Sequence, residues 1–285
     1  MNVGILASPA TSAIDIAFTA KTTEELGFDS IWCAEHPVIP VHYSTPYPGS
    51  SDGVIPDNYH HIVDPFIFLA RASGVTRSIK LGTGVCLIPE RNPLLLAKIV
   101  STLDYFSGGR FIFGIGTGWL REQIEIMGGN FEHRWNQTKE SLEAMKVLWT
   151  DDAAEYHGQY INFPAVKSFP KPIQKPHPPI LIGGSAKNVF KRIVDHGDGW
   201  LPNRATPDDI ARAKTTISDL CKHTGRDPST ISITVFHIFG PLDNSRLINA
   251  FFAAGADRVV VRPKDVETED EMFTELHRLA TLLLK

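Results

Sequence analysis

The sequence predicts an α/β protein, a closed (β/α)8 TIM barrel with insertions after strands 2 and 4, and three observations carry that prediction. Eight short apolar or alternating segments are each followed by a stretch of helical character. That order is the one produced by parallel strands joined through crossover helices. A chain of 285 residues also lies close to the ~250 that such a barrel typically uses, and eight units fit it better than an open doubly wound sheet, the next best reading.

The elements follow in order. Residues 2–6 (NVGIL) form the first strand, and Ser12 to Asp15 resembles a capping box opening a helix that ends near Gly27. Residues 29–34 (DSIWCA) are the second strand; after a long interruption, 79–85 (IKLGTGV) are the third. Asn92 is placed to cap a helix with Pro93 in its first turn, Leu96, Val100 and Leu103 on one face, and Gly108 at its end. Residues 111–115 and 179–182 are strands four and five, a helix covers about 186–196, and a short sixth strand surrounds Trp200 and Leu201. Thr206, with Asp209 three residues on, caps a helix whose Ile210, Ala213, Ile217 and Leu220 keep helical spacing. The seventh strand is 231–236, a helix spans about 245–254, and 258–261 (RVVV) is the buried eighth strand. Thr268 and Glu271 open the last helix, with Met272, Leu276, Leu279 and Leu283 on one stripe.

The whole chain, 1–285, reads as one domain with two interruptions, both at carboxyl ends of strands, the face where barrel enzymes keep their active sites. Residues 37–65 carry six prolines together with Tyr43, Tyr47 and Tyr59 and no helical period, as a lid or binding wall would. Residues 119–178 hold a helix through Leu142, Met145 and Trp149, a hairpin turning at His157 and Gly158, and an extended proline-rich end.

Composition bounds the function. With 42% hydrophobic and 21% charged residues, the chain is neither disordered nor fibrous. A net charge of −4 offers no broad basic surface for nucleic acid. Cys33, Cys86 and Cys221 lack metal-ligand spacing and fit a reduced, cytoplasmic protein, and neither a secretion signal nor a membrane span is expected.

Several residues have the types and spacing that chemistry uses. Glu35 and His36 directly follow the second strand, where a histidine projects into a barrel mouth and can exchange a proton near neutral pH, with the carboxylate free to orient its ring; a surface pair is the plain alternative. Gly114 to Trp119 (GIGTGW) leaves the fourth strand with three alternating glycines. The spacing is wrong for a dinucleotide fingerprint, and a tight turn accounts for it equally well. Gly183, Gly184 and Ser185 precede a helix and are placed to cradle an anion, although a capped turn would read the same. His42, His60, His61 and Asp64 raise metal chemistry, but they lie on a proline-rich loop and metal ligands need rigid support. No serine nucleophile elbow is present, and Cys33 and Cys86 fall inside strands as core thiols do.

Residues 80–119 (KLGTGVCLIPERNPLLLAKIVSTLDYFSGGRFIFGIGTGW) resemble the most recognisable stretch of the bacterial luciferase-like flavin and deazaflavin oxidoreductases. The segments LGFDSIWCAEH, YHGQYINF and PPILIGGSAKNVFKRIVDHGDGW are similar to that family as well. The resemblance implies a (β/α)8 barrel with a tricyclic ring in its mouth. His36 would serve as proton donor or acceptor beside Glu35. Thr83, Gly84 and Val85 would form a bulge against the ring, with a cis peptide between Gly84 and Val85. Gly116, Thr117, Gly118, Gly183, Gly184 and Ser185 would hold the phosphate tail. Family members that use FMN often carry an arginine where this chain has Thr117, and the GTGW, NPLLLAK and long-loop features look more like the subgroup using coenzyme F420, so F420 is favoured over FMN. The implied activity is hydride transfer between that cofactor and a small organic substrate, by a homodimer. An FMN-dependent monooxygenase using dioxygen, a flavin-binding protein without turnover and, last, a metal-dependent barrel hydrolase are the alternatives.

Overall fold

The computed structural model describes residues 1–7, 14–237 and 242–284. Its strands are β1 (Val3–Leu6), β2 (Ser30–Cys33), β3 (Lys80–Thr83), β4 (Cys86–Leu87), β5 (Phe111–Gly116), β6 (Ala154–His157), β7 (Asn162–Val166), β8 (Ile180–Gly183), β9 (Gly199–Leu201), β10 (Ser232–Phe236) and β11 (Arg258–Val261). Strands β1, β2, β3, β5, β8, β9, β10 and β11 pair in that cyclic order, all parallel, and β11 returns to β1 with Val3 opposite Val259. The eight-stranded barrel is therefore closed, and each of the eight segments expected as strands is one of its staves. The short β4 extends the rim by pairing with the end of β5. The antiparallel β6 and β7 form the expected hairpin within 119–178, and Glu140 accepts three backbone N–H groups from its turn, those of Gln159, Tyr160 and Ile161.

The helices are α1 (Ile16–Glu25), α2 (Pro65–Val75), α3 (Pro93–Ser107), α4 (Arg121–Ile126), α5 (Arg134–Thr150), α6 (Val189–His196), α7 (Pro207–Thr224), α8 (Ser245–Ala253) and α9 (Glu269–Leu283). Local chemistry sets their ends. Asn92 accepts from the N–H groups of Leu94 and Leu95 at the start of α3, and Gly108 ends that helix in the left-handed region. Thr206 with Asp209 and Thr268 with Glu271 both close as reciprocal capping boxes. At α1 the cap is Asp15, which accepts from Ala17; Ser12 lies outside the described residues. Helix α2 had no signal in the hydrophobic pattern because its sequence is apolar around most of its surface, leaving Ile67 74% exposed.

Three apolar clusters organise the interior. Leu6, Trp32, Ile112, Leu181, Leu201, Phe236 and Val260 fill the barrel itself, with the Trp32 and Phe236 rings meeting edge to face at 5.8 Å. A larger cluster lies between staves and helices. A third, separate cluster of Tyr47, Ile55 and Leu120 packs the 37–65 insertion. Arg110 is buried with its guanidinium spread over Ser107, Ser73, Thr76 and Ile79, mostly backbone carbonyls, and so ties the approach to β5 to the α2–β3 connection. The proline-rich run before β8 has no regular structure and is held by Gln174, which donates to Asp104 and to the Phe111 carbonyl. The three cysteines are free and buried, and among the described residues no helix is long and apolar enough to cross a membrane.

Two glycines with opposite surroundings test this packing. A Cβ on Gly114 would sit 2.0 Å from the Thr83 carbonyl oxygen, a backbone atom that cannot swing away, whereas one on Gly74, exposed in α2, meets nothing within 4 Å. Gly114→Ala is expected to destabilise by about 3 kcal/mol or more. Gly74→Ala should stabilise by roughly 0.5–1 kcal/mol through helix propensity, both read from denaturant midpoints.

Candidate active site

The carboxyl ends of the staves form a mouth, and the residues just beyond β2 enter it. Glu35 is 4% exposed, yet both of its oxygens are occupied: the Leu87 N–H donates to Oε2 at 2.6 Å, and Arg91 donates to Oε1 from Nε at 2.7 Å and again from Nη2. Arg91 also donates to Asp64 Oδ2 at 2.7 Å, while Asp64 Oδ1 caps α2 through the N–H groups of Phe66 and Ile67. Burial pushes the Glu35 carboxyl upward and Arg91 pulls it back. Because donors alone meet its two oxygens, we assign the carboxylate form, paired with the Arg91 cation. Glu35 is thus committed to Arg91. The expectation that it orients the adjacent imidazole does not hold, because its oxygens are taken by the Leu87 N–H and by Arg91 while the ring bonds elsewhere.

Among the described residues the His36 ring takes its hydrogen bond from a different quarter, with Nδ1 2.8 Å from Gln123 Oε1. Gln123, at 0% exposure on α4, donates from Nε2 to Glu90 Oε2 at 2.7 Å. Burial lowers the His36 pKa against the opposing bond to Gln123, so the ring is neutral near pH 7. Burial also raises the Glu90 carboxyl, to about 7, with Glu35 adding to the rise and Gln123 and Arg91 resisting it. Tyr59 and Trp119 approach His36 with ring centroids at 5.2 and 6.1 Å, and the Tyr47 and Tyr59 hydroxyls share a hydrogen bond of 2.6 Å.

His36, Glu35, Gly84 and Val85 line one cavity of about 160 Å³, together with Tyr47, Tyr59, Trp119, Asn203 and Arg262. The Gly84–Val85 peptide is cis, as the family resemblance implied. Asn203 also lines a second cavity of about 390 Å³, which holds Ser185, Lys187, Arg204 and Arg212. The other expected residues surround these spaces in different ways. Thr83 is buried with its hydroxyl on the Gly114 carbonyl, so its side chain fixes the staves. Gly116 and Gly183 pack against the Val85 methyls. Gly118 lies over Glu90, next to Thr117 at the exit of β5. Gly184 takes a positive φ of 95° and its carbonyl accepts from Trp200 Nε1, which fixes the turn before Ser185. Of the metal candidates, Asp64 is taken by Arg91 and its helix cap, and His60 contacts Asp57.

Gln123, Glu90, Arg91, Asn203, Arg204 and Arg262 were absent from the sequence reading. Arg91 lies four residues beyond Leu87 and Gln123 four beyond Trp119, inside segments whose local signals concern rim and helix; only the fold brings them under the mouth.

A closed parallel barrel whose mouth holds a histidine under an aromatic wall defines the class to which this protein should be compared. The chain belongs to the luciferase-like monooxygenase family, whose model matches residues 2–254. It is 36% identical over 242 residues to an uncharacterised protein of Mycobacterium tuberculosis, covering 82% of this chain and 84% of that one. It is 26% identical over 275 residues to the 5,10-methylenetetrahydromethanopterin reductase of Methanolobus tindarius, covering 94% and 76%. The fold matches the coenzyme F420-dependent tetrahydromethanopterin reductase of Methanopyrus kandleri with a TM-score of 0.76 at 19% identity, over 99% of this chain and 98% of that one.

The raised Glu90 carboxyl makes stability depend on pH. Its pKa lies above the 4.5 of an unperturbed glutamate, so its stabilising contribution is complete below about 4.5 and is lost as pH rises through about 7. Glu90→Gln cannot ionise. It should therefore be more stable than wild type above pH 7, by up to about 3 kcal/mol, with the difference vanishing below pH 4.5 in denaturant titrations.

Proposed function

We propose that this protein is an oxidoreductase that binds a deazaflavin, coenzyme F420, or a flavin, FMN, in the barrel mouth and catalyses hydride transfer to or from a small organic substrate. The observation that carries the reading is the neutral His36, held on Gln123 and facing a cavity floored by Gly84 and Val85. The donor set suits such a cofactor. Val85 and the facing Tyr47, Tyr59 and Trp119 offer the apolar and aromatic surfaces that a flat ring needs. The adjoining cavity brings Ser185 with Lys187, Arg204 and Arg212, the last paired with the lining Asp209 at 2.5 Å, a net-cationic set able to hold an anionic tail. The bound ring would supply the hydride chemistry that no side chain can provide.

The chain's own groups have defined tasks. With Nδ1 committed to Gln123, His36 offers Nε2 to the substrate, taking its hydroxyl proton in oxidation and returning it in reduction. The insertion walls one side of the mouth with Tyr47 and Tyr59, and Glu122 anchors it by accepting from Ser44 N at 2.7 Å and Ser44 Oγ at 2.8 Å. Asn203 and Arg262 provide polar contacts at the rim.

F420 is favoured over FMN because Thr117 leaves the β5 exit without the guanidinium that clamps a short phosphate, while the wider cationic cavity beyond Asn203 has room for a longer anionic tail. Equilibrium titration of the purified protein with oxidised F420 and FMN in parallel, followed by cofactor fluorescence, is expected to show selective F420 binding. Selective FMN binding with dioxygen uptake would instead favour a monooxygenase, and binding of neither would remove the site assignment.

His36→Ala should retain cofactor affinity and lose turnover by about 10²- to 10⁴-fold. Unchanged turnover in His36→Ala would take the residue out of the reaction.

A further inference from the structure

We infer that Glu90 is a positioning residue for His36, acting through the side-chain amide of Gln123 to decide which ring nitrogen of His36 carries the proton. The inference rests on His36 being the proton-handling group of the proposed reaction, and it assigns a role to a buried carboxylate that the reaction itself does not touch.

A side-chain amide has two ends, one a donor and the other an acceptor. Ionised Glu90 can only accept. It therefore takes the Gln123 Nε2–H at 2.7 Å and turns the amide oxygen toward His36, whose Nδ1 lies 2.8 Å away. A neutral ring facing that oxygen must carry its proton on Nδ1, so Nε2 is left with a lone pair and acts as a base. When Glu90 is protonated it can donate to the amide oxygen. The amide is then free to turn over, so that its NH2 faces Nδ1 and the proton sits on Nε2, where the ring is a donor. Gln123 is 0% exposed, so bulk water does not compete for either end, and the orientation of one end biases the other.

The setting of Glu90 supports such a switch. Glu90 is 4% exposed and its Oε1 has no hydrogen-bond partner, so the charge is held chiefly by the single bond from Gln123. A purely structural carboxylate would be expected to fill both oxygens, as the neighbouring Glu35 does. The groups that bear on it are Glu35 beyond β2, which repels its charge, Arg91, which attracts it, Gln123 on α4 and the backbone of Gly118 above Oε1. The Tyr59 and Trp119 rings flank His36 without bringing charge. The resulting carboxyl titrates at about 7, so both states of the relay are populated around neutral pH.

The test is nitrogen NMR of the protein labelled at histidine, without added cofactor, with the His36 signal identified by its loss in His36→Asn. Wild type should show the Nδ1–H form above pH 7 and convert toward the Nε2–H form below it. Glu90→Gln should abolish that conversion, leaving a tautomer ratio that does not change across pH 7. Gln123→Leu should do the same by removing the connecting amide, and serves if Glu90→Gln does not fold. A wild-type tautomer and wild-type pH response in either folded variant would overturn the inference. Because the readout needs no bound ring, a tautomer that follows Glu90 in a protein binding neither F420 nor FMN would count against the proposed function and not against this relay.

Discussion

Arg91 is the constraint on which the mouth depends. Its guanidinium reaches Glu35 at the start of the 37–65 insertion and Asp64 at its end. A segment of that length would otherwise pay a large closure entropy and sample many conformations. Holding its two ends at one cation confines the loop to the rim and aims the residues between them across the barrel opening. The same carboxylates serve elsewhere, with Asp64 starting α2 and Glu35 receiving the Leu87 N–H beside β4. A buried ion pair of this kind contributes little net stability but is costly to break on one side, because the survivor is left charged in a poorly solvated place.

Much of this was legible in the sequence, because the information was local. Strand periodicity, caps and stop signals belong to neighbouring residues: Asn92, Gly108, Thr206 and Thr268 each do what their immediate context implies. His36 was legible for the same reason, since position after a strand places it in a barrel mouth. Helix α2 was not, because its exposed face carries apolar Ile67, Ala70 and Val75 and so leaves no amphipathic stripe in the sequence. The partners of Glu35 and His36 were hidden for a more general reason. A side chain finds its hydrogen-bond partner through tertiary placement, and Gln123 lies 87 positions from His36 in the chain. Sequence adjacency pointed to Glu35 as the imidazole's companion, but Arg91, 56 positions on, takes that carboxylate first.

The two buried carboxylates show how environment divides labour between identical groups. Glu35 is saturated by donors and fixed as an anion by Arg91, whereas Glu90, a short distance away, has one bond and one bare oxygen. One provides permanent architecture and the other a group whose charge responds to its surroundings. His36 stands between aromatic rings and is tied to the second of these only through the amide of Gln123.

The insertion packs through a small cluster of Tyr47, Ile55 and Leu120, the last supplied by the segment after β5, distinct from the cluster that fills the barrel and from the one beneath the helices. Its cohesion therefore draws on the barrel rim and not on the side chains that fill the staves. Mutations that reshape this wall can accumulate without eroding the scaffold, provided that the Arg91 tie survives. In evolutionary terms the lid is a module, whose sequence is free to change while the barrel floor beneath it stays as it is.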